Sequence, residues 1–334
     1  MTERPKLVRI ATRKSKLALA QTRWVGLQLQ SHWPGLQIEE VHIVTQGDRI
    51  QDVPLSSVGG KGLFVSEVEA AVADGRADIA VHSMKDVPAV LADGLVLACV
   101  PPREDPRDVL LAPDGPELDA LEAGARIGTS SLRRSAQLRA RRNDLQFVLL
   151  RGNIDTRLRK LDEGQYAAIV LAYAGLRRLG LADRPLWPIP VEISLPAVGQ
   201  GALAIEARAG DTAIAELLAK LDHADSRVAV EAERTLLARL EGGCQVPLAG
   251  HAQVLEDGAR VRLDGLVASV DGSTILTAGT ERYAHPASLE ARLTAAREAG
   301  EEVARDLLSQ GGAKIIADAR EVAEREKLDP RKLH

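Results

Sequence analysis

Short apolar stretches alternate with helical patterns along the first two thirds of the chain, which restricts it to the α/β class, because parallel strands need crossovers that helices supply. Leu7–Ala11 reads as a strand, and Ser15 can cap a helix whose apolar face runs Leu17, Ala20, Trp24 and Leu27. A second strand is expected around Val41–Val44. Residues 46–62, QGDRIQDVPLSSVGGKG, are polar with three closely spaced glycines and read as a mobile loop. Phe64–Ala73 follows as a helix with Phe64, Val68, Ala71 and Val72 inward, then Ile79–Val81 as a buried strand entering HSMKD, then a strand at Leu95–Val100.

The Pro- and Asp-rich stretch Pro101–Asp108 reads as a boundary, beyond which the alternation restarts. Arg126–Gly128, Gln146–Leu150 and Ala167–Ala172 are strands, while Ser131–Arg142, Asn153–Asp162 and Ala174–Leu179, closed by Gly180, are helices. Two such successive units imply mainly parallel sheets whose ligands bind at the carboxyl ends of strands, between the units. The last third differs. A helix at Arg227–Leu240 leads into the turn Gly242-Gly243-Cys244, three alternating strands follow near Val246–Leu255, Arg260–Val270 and Thr274–Tyr283, and a final helix runs from Ala287 to about Leu308. This is a small α+β domain with a three-stranded, antiparallel sheet.

A chain of 334 residues at about 150 per domain suggests two or three domains. Its net charge of -4 conceals a basic island: residues 126–160 hold ten Lys or Arg against Asp144 and Asp155. Such an island attracts an anion. Single-stranded nucleic-acid binders stack bases on aromatic rings, and this segment offers only Phe147 within an apolar run, so a small carboxylate or phosphate ligand is favoured over RNA. Two cysteines cannot build a disulfide framework, the N-terminus lacks a secretory h-region, and no apolar run approaches a membrane span; a cytoplasmic protein with reduced thiols is expected. The seven histidines are scattered with no CxxC or HExxH spacing, so no metal site is expected. Gly59-Gly60-Lys61-Gly62 lacks the spacing of a phosphate loop and the Ser/Thr after its lysine.

Chemistry-bearing residues gather where strands hand over to helices. Arg13 and Ser15 in ATRKS suit a carboxylate at a helix start, although a capped helix with a surface arginine would look the same. In HSMKDVP, Lys85 and Asp86 directly follow a buried strand; Asp86 could stabilise a cation or move a proton, or simply pair locally with Lys85. In GTSSLRR, Arg133 and Arg134 sit in the first helical turn, the electrostatically wrong end, unless an anion offsets the repulsion. Arg151, Gly152 and Arg157 extend that face, whereas Arg139, Arg141 and Arg142 suit a solvated helix surface. Cys99 in LVLACV reads as a small buried hydrophobe, and Cys244 as either an inert turn residue or an accessible nucleophile.

Taken together, nine segments resemble the porphobilinogen deaminase (hydroxymethylbilane synthase) family over more than 230 residues: ATRKSKLALAQ, VGGKGLF, DIAVHSMKDVP, EDPRD, GTSSLRR, LRGNIDTRL, LAYAGLRRLG, SLPAVGQGALAIE and LEGGCQVP. The resemblance implies two periplasmic-binding-protein-like lobes, 1–101 with 200–219 and 106–196, plus a C-terminal domain, 224–334, that carries the cofactor. It implies four porphobilinogens joined into hydroxymethylbilane with loss of ammonia, by a monomeric transferase of porphyrin and haem biosynthesis. It further implies a dipyrromethane cofactor on Cys244 by a thioether, its carboxylates held by Ser83, Lys85, Thr129, Ser131, Arg133, Arg134, Arg151 and Gly152. Arg13, Ser15, Arg151, Arg157 and Arg178 match positions that grip the incoming pyrrole, and Asp86 matches the main catalytic group, with Arg13 and Lys61 beside it. The 46–62 loop matches the family's lid, but Ser57 stands where many relatives have lysine, leaving Lys61 to serve alone. The alternative is a non-catalytic two-lobed small-anion-binding protein, which would need neither Cys244 nor Asp86.

Overall fold

The computed structural model describes residues 5–49, 65–113, 115, 117–241, 246–285 and 288–328. Lys61, most of the 46–62 loop, Phe64 and the Gly242-Gly243-Cys244 turn lie outside them. The chain opens with β1 (Leu7–Arg13), α1 (Lys16–His32), β2 (Gln37–Ile43), α2 (Gln46–Arg49), α3 (Ser66–Ala73), β3 (Ile79–Ser83) and β4 (Leu95–Cys99). After residues 101–107 come β5 (Asp108–Leu111), β6 (Arg126–Gly128), α4 (Leu132–Arg141), β7 (Gln146–Val148), α5 (Ile154–Asp162), β8 (Ala168–Ala172), α6 (Tyr173–Arg178) and β9 (Leu186–Pro188). The chain then returns through β10 (Leu203–Arg208) and α7 (Thr212–Leu218).

Two five-stranded sheets result, ordered β2-β1-β3-β10-β4 and β7-β6-β8-β5-β9. In each, four strands point one way and one runs against them: β10 is antiparallel to β3 and β4, and β5 to β8 and β9. The two reversed strands are those that follow the crossings between lobes. A strand arriving straight from the other lobe enters at the cleft end, where its neighbours finish, and so runs opposite to them. This shared strand order makes the lobes periplasmic-binding-protein-like and aims the carboxyl ends of both parallel sets into one cleft.

The crossings are bound to each other. Glu104 donates its N–H to the Gly201 carbonyl at 3.2 Å, and Arg103 Nε donates to the Gln200 carbonyl at 2.9 Å. Gly201 adopts φ +89°, and a methyl there would overlap the Glu104 carbonyl oxygen. Gly201→Ala is therefore expected to cost more than about 1 kcal/mol of stability, because it combines left-handed strain with a backbone clash. An unchanged denaturant midpoint would refute that reading.

The remainder comprises α8 (Ala224–Arg239), β11 (Leu248–Leu255), β12 (Arg260–Ala268), β13 (Ile275–Tyr283), α9 (Leu289–Ser309) and α10 (Gly312–Leu328), with the strands in one antiparallel sheet. Glu233 of α8, fully buried, binds Arg103 at 2.6 Å and accepts from the backbone N–H groups of Gly199 and Ala252, bolting this part to the crossings. Among the described residues no helix is long and apolar enough to cross a membrane.

Three expectations need correction. The inward face of α1 is not Leu17, Ala20, Trp24 and Leu27: Trp24 and Leu27 are 38% and 64% exposed, and Gln21, Thr22, Val25 and Leu29 are buried. Polar residues occupy that face because Gln21 donates to Ser83 Oγ and Thr22 to Thr12 Oγ1, so counting apolar residues alone selects the wrong stripe. The helix ending at Ser309 is not the last, since α10 follows after one break at Gly311. The Pro101–Asp108 boundary ends in a strand, with Asp108 the first residue of β5.

Candidate functional site

Every strand-end motif opens on the cleft between the sheets. From the first lobe come Arg13 at the end of β1, Ser15 as the α1 cap accepting from Ala18 N–H at 3.3 Å, and Ser83, Lys85 and Asp86 beyond β3. Lys85 and Asp86 occupy a single 3-10 turn, with Asp86 exposed and Met84 buried as its anchor. From the second lobe come Thr129 and Ser131 after β6, the latter capping α4 through Arg134 N–H at 3.4 Å. Arg151 and Gly152 follow β7, Arg157 lies on α5, and Arg178 ends α6.

Arg133 and Arg134 differ from solvated helix arginines: they are 4% and 6% exposed. The anion that tolerates them at a helix start is internal. Asp108, fully buried, bonds Arg133 Nη1 at 2.8 Å and Arg134 Nη2 at 2.8 Å, and accepts from Ser194 Oγ at 3.0 Å. The two guanidinium groups overcome burial and hold its carboxyl far below the ordinary range. Arg133 is further committed to the Leu195 carbonyl at 2.5 Å.

Gln200 connects this cluster to the other lobe. Its Nε2 donates to Asp108 at 2.9 Å and the Pro106 carbonyl at 2.6 Å, while its Oε1 accepts from Lys85 Nζ at 3.4 Å and Arg134 Nη2 at 3.5 Å. Arg178 donates to the Gly201 carbonyl at 2.6 Å, and Arg157 Nε to the Gly152 carbonyl at 2.8 Å. Asp108, Ser194 and Gln200 were not among the expected site residues, although all three lie in segments that resemble the family. Their partners stand far off in sequence, so no local spacing marks them.

Among the described residues of the cleft, cations stand close enough to act on neighbouring cations. Burial and then Arg134 bring Lys85 down to about 8, and burial followed by Arg134 and Arg151 brings Arg157 down to about 10. An incoming carboxylate would offset the repulsion that Lys85 and Arg157 feel from these neighbouring guanidinium groups and favour their charged forms. With the hydroxyls of Ser83, Thr129 and Ser131 alongside, this donor set fits a ligand carrying several carboxylates, as a dipyrromethane does.

Fold and site together define a two-lobed α/β enzyme with a polycationic cleft. Residues 8–216 match the family model "Porphobilinogen deaminase, dipyromethane cofactor binding domain", and residues 228–309 match "Porphobilinogen deaminase, C-terminal domain". Curated porphobilinogen deaminases are similar over nearly their full lengths: that of Syntrophotalea carbinolica is 54% identical, covering 93% of this chain and 95% of the relative. That of Geobacter metallireducens is 49% identical, covering 98% and 99%. Among solved structures, the methionine-binding protein MetQ is 16% identical and covers 65% of this chain and 89% of its own, with a TM-score of 0.41. The chain belongs to the porphobilinogen deaminase family. It is a transferase of tetrapyrrole biosynthesis that polymerises porphobilinogen and carries a dipyrromethane cofactor.

Proposed function

We propose that Cys244 carries the dipyrromethane as a thioether, that Lys85, Ser83, Thr129, Ser131, Arg134, Arg151 and Gly152 hold its carboxylates, and that Arg133 supports them through Asp108. The observation that carries this reading is the mutual crowding of Lys85, Arg134 and Arg157 around strand ends of both lobes. When bound, the cofactor supplies a tethered pyrrole with a free carbon that accepts the next unit. Porphobilinogen brings one acetate and one propionate per ring, so each addition needs further cations; Arg13, Ser15, Arg151, Arg157 and Arg178 serve the incoming ring, and Lys61 adds a charge beside it.

Asp86 is the catalytic group of this proposal. As ammonia leaves the aminomethyl arm with the bonding electron pair, the remaining positive charge spreads onto the ring and its N–H. A fixed carboxylate opposite that N–H stabilises the cation more than the neutral ground state, which lowers the barrier. Once the free pyrrole carbon has bonded to that methylene carbon, the pyrrole carbon must lose its proton, and the same carboxylate can accept it. Four rounds followed by hydrolysis release hydroxymethylbilane.

The domains of this reading are 1–101 with 200–219, 106–196 and 224–334, in a cytoplasmic monomer, since one chain carries all the groups named. Intact mass spectrometry tests the attachment. The purified protein is expected to exceed its sequence mass of 35.8 kDa by one dipyrromethane, and Cys244→Ser to lose that increment together with activity. An active protein of unmodified mass would reject it.

A further inference from the structure

Behind the strand-end site, two buried polar side chains face each other with no other hydrogen-bond partner for their facing atoms among the described residues. His82 of β3 is 7% exposed and Glu206 of β10 is fully buried. Strand pairing sets Glu206 opposite Ala80 and His82 opposite Ala204, which places the two diagonally on one face of the sheet. The register of β10 against β4 shifts between Ile205 and Glu206, an irregularity of the kind that re-aims a side chain. His82 Nε2 lies 3.9 Å from Glu206 Oε1, and among the described residues neither that nitrogen nor either carboxyl oxygen has a hydrogen-bond partner. Orphaned atoms this deeply buried are rare and call for a reason.

The surrounding charges indicate which protonation state is held. Burial, and then Arg13 on β1, push the His82 imidazolium down to about 4. Burial, and then Glu69 on α3, push the Glu206 carboxyl up to about 8. Arg234 on α8 acts in the other direction on Glu206, but its guanidinium bonds the Ala89 carbonyl at 2.9 Å and sits beside Met84 Sδ. A like charge thus stands behind each partner, and the uncharged pair prevails at neutral pH. Each neutral partner then carries one donor and one acceptor, and a single hydrogen can bridge them.

We propose that the protonated carboxyl of Glu206 donates to Nε2 of His82, fixing the ring as its Nδ1–H tautomer, and that this uncharged pair is a positioning element for the strand end that presents Lys85 and Asp86. A movement of about 1 Å closes the gap to hydrogen-bond length. The positioning role rests on the assignment of Asp86 as the catalytic group; the tautomer does not.

Nitrogen-15 correlation spectra of the holoenzyme's imidazoles, with His82 assigned by difference against His82→Gln, test the pair directly. Between about pH 5 and 7 the ring is expected to be neutral and Nδ1-protonated. An imidazolium or an Nε2–H tautomer in that window would overturn the proposal, whatever the catalytic fate of Asp86. Glu206→Ala is expected to abolish the tautomer preference and lower kcat about tenfold with a smaller change in KM, and Glu206→Gln, whose amide can donate in place of the O–H, to restore both. Failure of Glu206→Gln to restore them, or a Glu206→Ala protein with unchanged tautomer and rate, would equally overturn it.

Discussion

Asp86→Asn is expected to lower turnover by about 10²–10³-fold, the range seen when one preorganised electrostatic group is removed from the site of developing charge. Asparagine preserves size and hydrogen-bonding reach but removes the negative charge that opposes the pyrrole cation. The 3-10 turn that presents residue 86 is anchored by buried Met84 and by the Val87 N–H to Met84 carbonyl bond at 3.1 Å, neither of which uses the carboxylate. The variant should therefore fold and still carry its cofactor. Single-turnover kinetics combined with intact mass would show this as a retained mass increment with slow release of ammonia. A rate within about threefold of the parent, with the cofactor present, would remove Asp86 from the mechanism.

Asp108→Asn should have the largest effect on stability. The carboxylate is the shared counterion of two buried arginines, and removing one partner from such a cluster typically costs about 3–5 kcal/mol because the remaining charges stay buried and uncompensated. Against a typical total of about 5–15 kcal/mol, that loss is severe. The sign of the pH dependence follows from linkage. Asp108 remains ionised in the folded state at pH values where the unfolded carboxyl, near its ordinary value of 3.8, binds a proton; its contribution is present above that value and fades on acidification below it. Urea unfolding should show a lower midpoint for the variant at pH 7 and a smaller difference between the proteins below about pH 4. Equal midpoints at pH 7 would mean that the two arginines are solvated after all. Because Gln200 and Arg134 lean on the same carboxylate, the variant should also load its cofactor poorly, which the mass increment would report.

Much of this architecture is legible along the chain. The alternation of apolar strands with helical patterns reflects local burial, and it announces two mainly parallel sheets and a distinct C-terminal sheet. Glycine and serine at strand ends mark turns and caps, and Ser15, Ser131 and Asn153 all cap the helices they precede. The motifs that carry the family resemblance span both lobes and the C-terminal domain, so the activity follows from residue identity before any coordinate is known. Arg133 and Arg134 at the start of a helix were equally visible as an electrostatic anomaly demanding an anion.

Tertiary structure alone decided what that anion is and which strand runs backwards. Asp108 precedes Arg133 by 25 residues and Gln200 lies 92 beyond Asp108, so no local period could pair them; the charge balance of the cleft exists only once both crossings have folded against each other. The same holds for the reversed strands β5 and β10, for the polar inward face of α1, and for His82 meeting Glu206 across neighbouring strands. Local sequence sets propensity and surface pattern because those depend on near neighbours. Desolvation and charge depend on whatever the fold brings within a few ångströms, and that is settled only in three dimensions.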